Sequence, residues 1–264
     1  AIVGEFALAA PERAALLDPA RPIVLLARRE RVGHVPALAP GVAPGLTEVG
    51  VFLPYSPLHQ LLLDGVDGPV VATSGNLSGE PVLTDPDQAE ARLDGIADGF
   101  LHHDRPIVRP ADDSVQRVIG GRARTLRLGR GLAPLELELP RALPEPVLAV
   151  GGHLKLTVAL AWERRVVVSP HIGDMGTLRS EQVFEQVAGD LQRLYGIDAR
   201  RLLHDAHPDY ATSRWARARG LPRHPVWHHH AHASALLAEH GIDEPSVVFA
   251  WDGVGLGDDG TLWG

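Results

Sequence analysis

The chain has no cysteine, one lysine, one asparagine and one methionine among its 264 residues. The missing cysteines exclude a disulfide scaffold, a thiolate zinc site and a cysteine nucleophile carried on this chain. No apolar run approaches the roughly 18 residues a membrane span requires, and no charged-then-apolar leader opens the chain. A cytoplasmic location is expected. A basic surplus is also missing: 25 Lys and Arg stand against 33 Asp and Glu, a formal charge of −8, which argues against a general nucleic-acid binder. The 45% of apolar residues can still bury a sizeable core, as one large domain or two modest ones. The sequence opens at Ala1 without a methionine and stops at Gly264 just after a hairpin-like turn, so a piece of a longer protein is expected.

The scarce residues mark places. Lys155 stands alone against 24 arginines, and Asn76 is the single asparagine; both lie inside Gly-rich segments. A lysine approaches a phosphate as a compact point charge, whereas arginine is a wide planar fork.

Segment 131–147 interleaves Pro134, Pro140, Pro144 and Pro146 with Glu and Leu and reads as a stiff, extended connector. Before it, Pro22–Ala27 and Gly68–Thr73 are short apolar runs beside turn residues, expected as buried strands. Asp85–Gly99 has helical spacing, and Val115–Leu126 returns to strand character. After the connector, Val147–Val150, Leu156–Ala161 and Val166–Val168 predict a three-strand meander. Ser180–Tyr195 places Val183, Val187, Leu191 and Leu194 on one helical stripe, with Ser180 as N-cap. Arg201–His204, Val226–Trp227 and Val247–Trp251 read as strands; Tyr210–Arg219 and Ala231–His240 read as helices. The order β-β-β-α-β-α-β-α-β predicts an α/β layer with a mixed sheet.

Four segments carry polar chemistry. Thr73-Ser-Gly-Asn-Leu-Ser-Gly79 offers Ser74, Asn76 and Ser78 on a loop whose glycines admit a ligand closely; it also reads as an ordinary turn. Gly151-Gly-His-Leu-Lys-Leu-Thr157 combines backbone N–H groups, Lys155 and a Thr hydroxyl in what is either a phosphate cradle or a simple hairpin. In Trp227-His-His-His-Ala-His232, His228 and His232 share a helical face and can share a metal, with Asp252 as a natural third ligand. A zincin would need Glu where His229 stands, so hydrolysis of that kind is disfavoured. A solvated histidine cluster is the alternative. Finally, Asp252-Gly-Val-Gly-Leu-Gly-Asp-Asp-Gly260 matches G-x-G-x-x-G, but Asp259-Gly260 signals a hairpin where a Rossmann site needs a helix; a phosphate-facing glycine turn stays open. Asp112–Val115, the basic run Arg122–Arg130 and Asp205-Ala-His-Pro-Asp-Tyr210 are weaker signals, the last able to line the same cleft.

Together with Pro54-Tyr-Ser-Pro-Leu-His59, Ser169-Pro-His-Ile-Gly-Asp174 and His207-Pro-Asp-Tyr210, these motifs resemble the hydrogenase-maturation carbamoyltransferase family of HypF type, along essentially the whole chain. The resemblance implies a YrdC-like α/β domain over residues 1–133, its start missing, and a Pro-rich linker over 134–146. Residues 147–264 would form the truncated first subdomain of a carbamoyltransferase domain, the first half of an actin/sugar-kinase-type ATPase fold (ribonuclease H-like).

It further implies carbamoyl-adenylate formation from ATP, with Mg, and carbamoyl phosphate, then transfer to the C-terminal cysteine of a HypE-type acceptor. Carried over residue by residue, Ser74, Asn76, Arg127, Gly253 and Gly255 would hold the nucleotide intermediate. Lys155 would be catalytic, and His228, His232 and Asp252 would hold a divalent metal, zinc or iron. The family's acylphosphatase domain, cysteine zinc fingers and a further metal ligand beyond Gly264 are not in the chain, and Leu156 and Leu128 stand where the family usually has Asn and Arg. The chain alone is therefore expected to be inactive. An O-carbamoyltransferase of natural-product biosynthesis shares both domains and is the enzymatic rival. A non-enzymatic metal-binding module spanning His224–His232 is the other.

Overall fold

A computed structural model describes residues 2–29 and 38–263 of the chain. The elements run α1 (Ala10–Leu17), β1 (Ile23–Ala27), β2 (Glu48–Val51), α2 (Pro57–Asp64), α3 (Pro86–Leu93), β3 (Val115–Ile119) and β4 (Arg122–Arg127). They continue with β5 (Leu135–Glu138), β6 (Val147–Ala149), β7 (Ala159–Trp162), β8 (Arg165–Val168), α4 (Leu178–Tyr195), β9 (Arg201–Asp205) and α5 (Ala211–Ala218). The last are β10 (Arg223–Val226), α6 (His228–Glu239), β11 (Gly255–Leu256) and β12 (Leu262–Trp263). They form two units, residues 1–74 with 111–133, and residues 75–110 with 134–264. No helix among the described residues is long and apolar enough to cross a membrane.

The first unit is a four-stranded sheet in the order β2-β1-β3-β4. Val24 and Leu26 of β1 meet Leu16 of α1, Phe6 and Val49 in its core. Arg130 fastens its loops: Nε donates to Asp113 Oδ1 at 2.8 Å, and the terminal nitrogens donate to the carbonyls of Ala20 and Arg21 at 3.0 and 2.9 Å. The guanidinium also lies 3.4 Å over the Tyr55 ring. The fully buried Ser114 donates to the Arg130 carbonyl and accepts from Gly129 N–H. The Asp112–Val115 segment and the end of the basic run thus knit one another together.

The second unit carries a mixed sheet in the order β10-β9-β6-β7-β8-β5. β6, β7 and β8 are the antiparallel meander; β6, β9 and β10 run parallel, β9 and β10 joined through α5. The expected α/β class with a mixed sheet is borne out. The core gathers Leu148, Val150, Val158, Leu160, Val167 and Leu202 from the sheet with Val183, Phe184, Val187, Ala188 and Leu191 from α4. Spacing of three and four residues puts that α4 stripe on one face, while Leu194 turns outward, 56% exposed.

Several expectations are corrected. The N-cap of α4 is Thr177, whose side chain accepts from Ser180 N–H, because the helix begins two residues before Ser180. Its end follows from Gly196, left-handed at φ 65°. The meander's second strand begins at Ala159; Leu156 instead bridges to Gly173. The connector is not extended coil throughout, since Leu135–Glu138 adds β5 to the sheet edge through antiparallel pairing with β8. The helix expected over Asp85–Gly99 stops at Leu93. Gly68–Thr73 and Val247–Trp251 are not strands: Val71 and Trp251 are 77% and 96% exposed. An apolar run favours burial, but a strand is completed only by a hydrogen-bonded neighbour, and among the described residues neither run has one. Residues 75–110 cluster with the second unit, where Arg179 at the start of α4 donates to the carbonyls of Pro81 and Val82.

Candidate functional site

The three parallel strands of the second unit deliver their carboxyl ends to one edge of the sheet. There ligand sites of open α/β sheets are found. The loop after β6 is Gly151–Lys155, β9 ends on Asp205, and β10 is followed by His228, the first residue of α6. Because α6 starts at His228 rather than at Ala231, His228 and His232 lie one helical turn apart on the same face, ring centroids 5.0 Å apart.

Asp252 completes the cluster. Its Oδ2 is 2.8 Å from His228 Nε2 and 3.6 Å from His232 Nε2. That oxygen is buried, and its contact with His228 Nε2 is an ion pair poorly directed for a hydrogen bond. Burial alone would raise the Asp252 pKa; the Gly253 N–H, donating to Oδ1 at 2.8 Å, and the fields of His228 and His232 outweigh it and hold the carboxyl below its usual range. A buried carboxylate oxygen faced by two imidazole nitrogens fits a divalent cation, and zinc or iron suits this donor set. Among the described residues, His228, His232 and Asp252 are the group whose ligand atoms lie close enough to share one ion, all within 4.8 Å. His224 sits on β10, and His229 turns toward Trp263 at 5.6 Å between ring centroids.

The glycine turns bring backbone up to this cluster. A Cβ on Gly255 would stand 2.7–2.8 Å from side-chain atoms of His228 and His229, so only glycine fits there. A Cβ on Gly152 would meet Asp205 Oδ2 at 3.5 Å and His228 Cε1 at 3.9 Å, so the Gly151–Lys155 loop borders the same imidazole. The fully buried Thr212, at the start of α5, donates to the carbonyls of Gly151 and Gly152. Lys155 follows with φ 51°, a left-handed conformation rare outside glycine, and its N–H is held by Asp174 Oδ1 at 2.8 Å. The His153 ring stacks on Tyr210, and Tyr210 on His207, at 5.3 and 4.1 Å. Burial first, then the carboxylates of Asp205 and Asp252, push the Tyr210 phenol pKa up. Thr212 and Asp174 were not singled out as site residues from sequence; Asp174 had a signal, closing the His171-Ile-Gly-Asp174 motif, whereas Thr212 had none.

The remaining expected residues lie on other segments of the chain. Ser74 is exposed in the first unit. Arg127, in the same unit on β4, donates from Nε to the Asp113 carbonyl at 2.9 Å. Asn76 belongs to the second unit and braces its own loop, Nδ2 donating to the carbonyls of Leu77 and Glu80 at 2.9 and 2.8 Å. Its Oδ1 is buried without a partner.

The glycine contact is testable. Gly255→Ala should destabilise the chain by about 1–3 kcal/mol through overpacking and weaken zinc binding, whereas Gly253→Ala, with open space around its Cα, should do neither. Thermal unfolding and zinc titration of the two variants read this; equal behaviour would remove the steric argument.

Comparison with known proteins gives two family matches: residues 142–239 match the HypF Kae1-like domain, and residues 3–129 match the Sua5/YciO/YrdC family described as telomere recombination. The chain is 46% identical to carbamoyltransferase HypF of Synechocystis sp. over 94% of its length and 32% of that protein. It is 43% identical to carbamoyltransferase HypF2 of Cupriavidus necator, over 96% of the chain and 34% of that protein. It therefore spans about a third of the curated relatives it matches. Among solved structures, a full-length HypF in its phosphate- and nucleotide-bound form matches with TM-score 0.93 and 37% identity, covering 100% of this chain and 41% of that one. The HypF of T. kodakarensis matches with TM-score 0.90 and 32% identity, over 98% of this chain and 34% of that one.

Proposed function

Since this chain belongs to the carbamoyltransferase HypF family, we propose that it is part of an ATP-dependent carbamoyltransferase of nickel–iron hydrogenase maturation, working in the cytoplasm. Residues 1–133 belong to the YrdC-like domain that forms carbamoyl-adenylate from ATP and carbamoyl phosphate. Residues 147–264, joined to it by 134–146, belong to the domain that passes the carbamoyl group to the C-terminal cysteine of a HypE-type acceptor. In that step the acceptor thiol gives up its proton to solvent, its sulfur bonds to the carbamoyl carbon, the carbon–oxygen bond to phosphate breaks, and AMP leaves.

The observation that supports this most is the cluster itself: a buried carboxylate oxygen, two imidazole nitrogens facing it, and a lysine-bearing glycine loop alongside. His228, His232 and Asp252 would hold the metal, which when bound supplies Lewis-acid polarisation of an oxygen in the mixed anhydride. Lys155 would bring its ammonium to the phosphate of the leaving AMP, and the glycine turn at Gly253 and Gly255, the first already holding Asp252 through its N–H, would let the backbone come close to the nucleotide. Ser74, Asn76 and Arg127 hold the nucleotide during activation. A bare histidine-rich metal module accounts less well for the site, because His224 and His229 stay out of the cluster while a carboxylate from the Asp252 turn enters it.

In the full-length protein, Asn76→Ala should sharply reduce ATP cleavage that depends on carbamoyl phosphate and leave metal content unchanged. Turnover at the wild-type rate would remove the Asn76 loop from the active site.

A further inference from the structure

The metal reading leaves one buried charge without a role. Asp205 ends β9 with its side chain only 6% exposed. Both carboxylate oxygens are used. Oδ2 lies 2.7 Å from His228 Nδ1, and Oδ1 accepts the N–H of His207 at 2.8 Å. The main chain at this point is pinned too, since the Asp205 carbonyl accepts from the Ser213 hydroxyl at 2.8 Å. A buried carboxylate is costly unless it is paired and hydrogen-bonded. The partner here is the imidazole whose other nitrogen, Nε2, faces Asp252.

We propose that Asp205 is a positioning residue: it accepts the Nδ1–H of His228, fixing that ring in one tautomer and orientation so that the bare Nε2 is aimed at the metal. The inference rests on the metal reading of His228, His232 and Asp252. Two features make the arrangement directional. The carboxylate comes from the end of an interior strand that pairs with β6 and, at Asp205 itself, with β10, so the ring is oriented by the sheet rather than by its own helix. The Gly151–Gly152 turn lies against the same carboxylate oxygen, closing the space into which the ring would otherwise swing. A carboxylate on the far nitrogen of a ligating histidine also raises ligand basicity, and removal of such partners typically weakens metal affinity about 10–100-fold.

Asp205→Asn is the sharpest change, because the amide keeps the shape but has one acceptor oxygen for two donors. The cysteine-free 264-residue chain has no thiolate sites to compete for metal, so zinc affinity can be measured on it by competition with a chelator. Asp205→Asn should weaken zinc binding about 10–100-fold, and in a His228→Ala background the same change should add nothing. In the unaltered zinc-loaded chain, nitrogen-15 NMR should show His228 protonated at Nδ1, its signal identified by its loss in His228→Ala; this holds even if the Asn variant folds poorly. Wild-type affinity in Asp205→Asn, an undiminished loss in the His228→Ala background, or metal on Nδ1 would each overturn the role of Asp205. Wild-type zinc affinity in His228→Ala would instead bring down the metal reading, and this inference with it.

Discussion

In the full-length protein, replacing both His228 and His232 by alanine should abolish stoichiometric metal at this site, while His224→Ala and His229→Ala should retain it. The double change removes two of the three ligand side chains and leaves the Asp252 carboxylate alone, which does not hold zinc in competition with water. His224 lies on β10, outside the cluster. His229 is the more demanding control, because it neighbours both ligands on α6, packs beneath the Gly255 turn and has a buried Nδ1 without a partner. Its loss should lower stability without touching metal. Calorimetric zinc titration and thermal unfolding of each variant separate these outcomes. Zinc lost from His229→Ala but kept by the double variant would reassign the ligands.

The second large effect concerns Lys155. In the full-length protein, Lys155→Ala should slow carbamoyl transfer to the acceptor thiol about 10²–10³-fold, the usual loss when a charge-stabilising donor is removed, with adenylate formation little changed. Lys155→Arg should rescue poorly, because a planar fork does not replace a point charge beside a tight Gly-Gly turn. The backbone adds a signature. Lys155 holds φ 51°, a conformation that costs a side-chain-bearing residue roughly 1–2 kcal/mol. Lys155→Gly should therefore lose transfer as fully as Lys155→Ala while stabilising the chain by up to about that amount. ATP–pyrophosphate exchange, labelled carbamoyl transfer and thermal unfolding read the three quantities. Equal loss of both half-reactions would contradict the division of labour between the two domains.

Much of the second unit was legible because its signals are local. The α4 stripe, the turn-separated meander and the Asp259-Gly260 hairpin each follow from spacing and turn chemistry. The pairing of His228 with His232 followed from helical geometry, and Asp252 from its position beyond an apolar run. The structure brings Asp252 up to His228 although the run itself, Val247–Trp251, is not a strand. What spacing does not carry is the partner of an apolar segment: Gly68–Thr73 and Val247–Trp251 have strand-like composition but no neighbour among the described residues. Long-range polar contacts were equally hidden. Asp205 could be suspected of lining the cleft, but nothing local says that it meets an imidazole 23 residues further along the chain. Nor does the sequence of α5 tell that Thr212 holds the Gly151–Gly152 carbonyls. The left-handed turn at Lys155 is a third case, since a lone lysine in a glycine-rich segment does not reveal its φ.

The carboxyl edge of the β6-β9-β10 layer is expected to build a metal site from His228, His232 and Asp252. Anomalous diffraction at the zinc edge, from crystals of this chain grown with one equivalent of zinc, tests it most directly. One dominant peak is expected, bounded by His228 Nε2, His232 Nε2 and the Asp252 carboxylate, with ligand distances of about 2.0–2.2 Å. A dominant peak on His224, His229 or His230, with those three side chains bare, would contradict it.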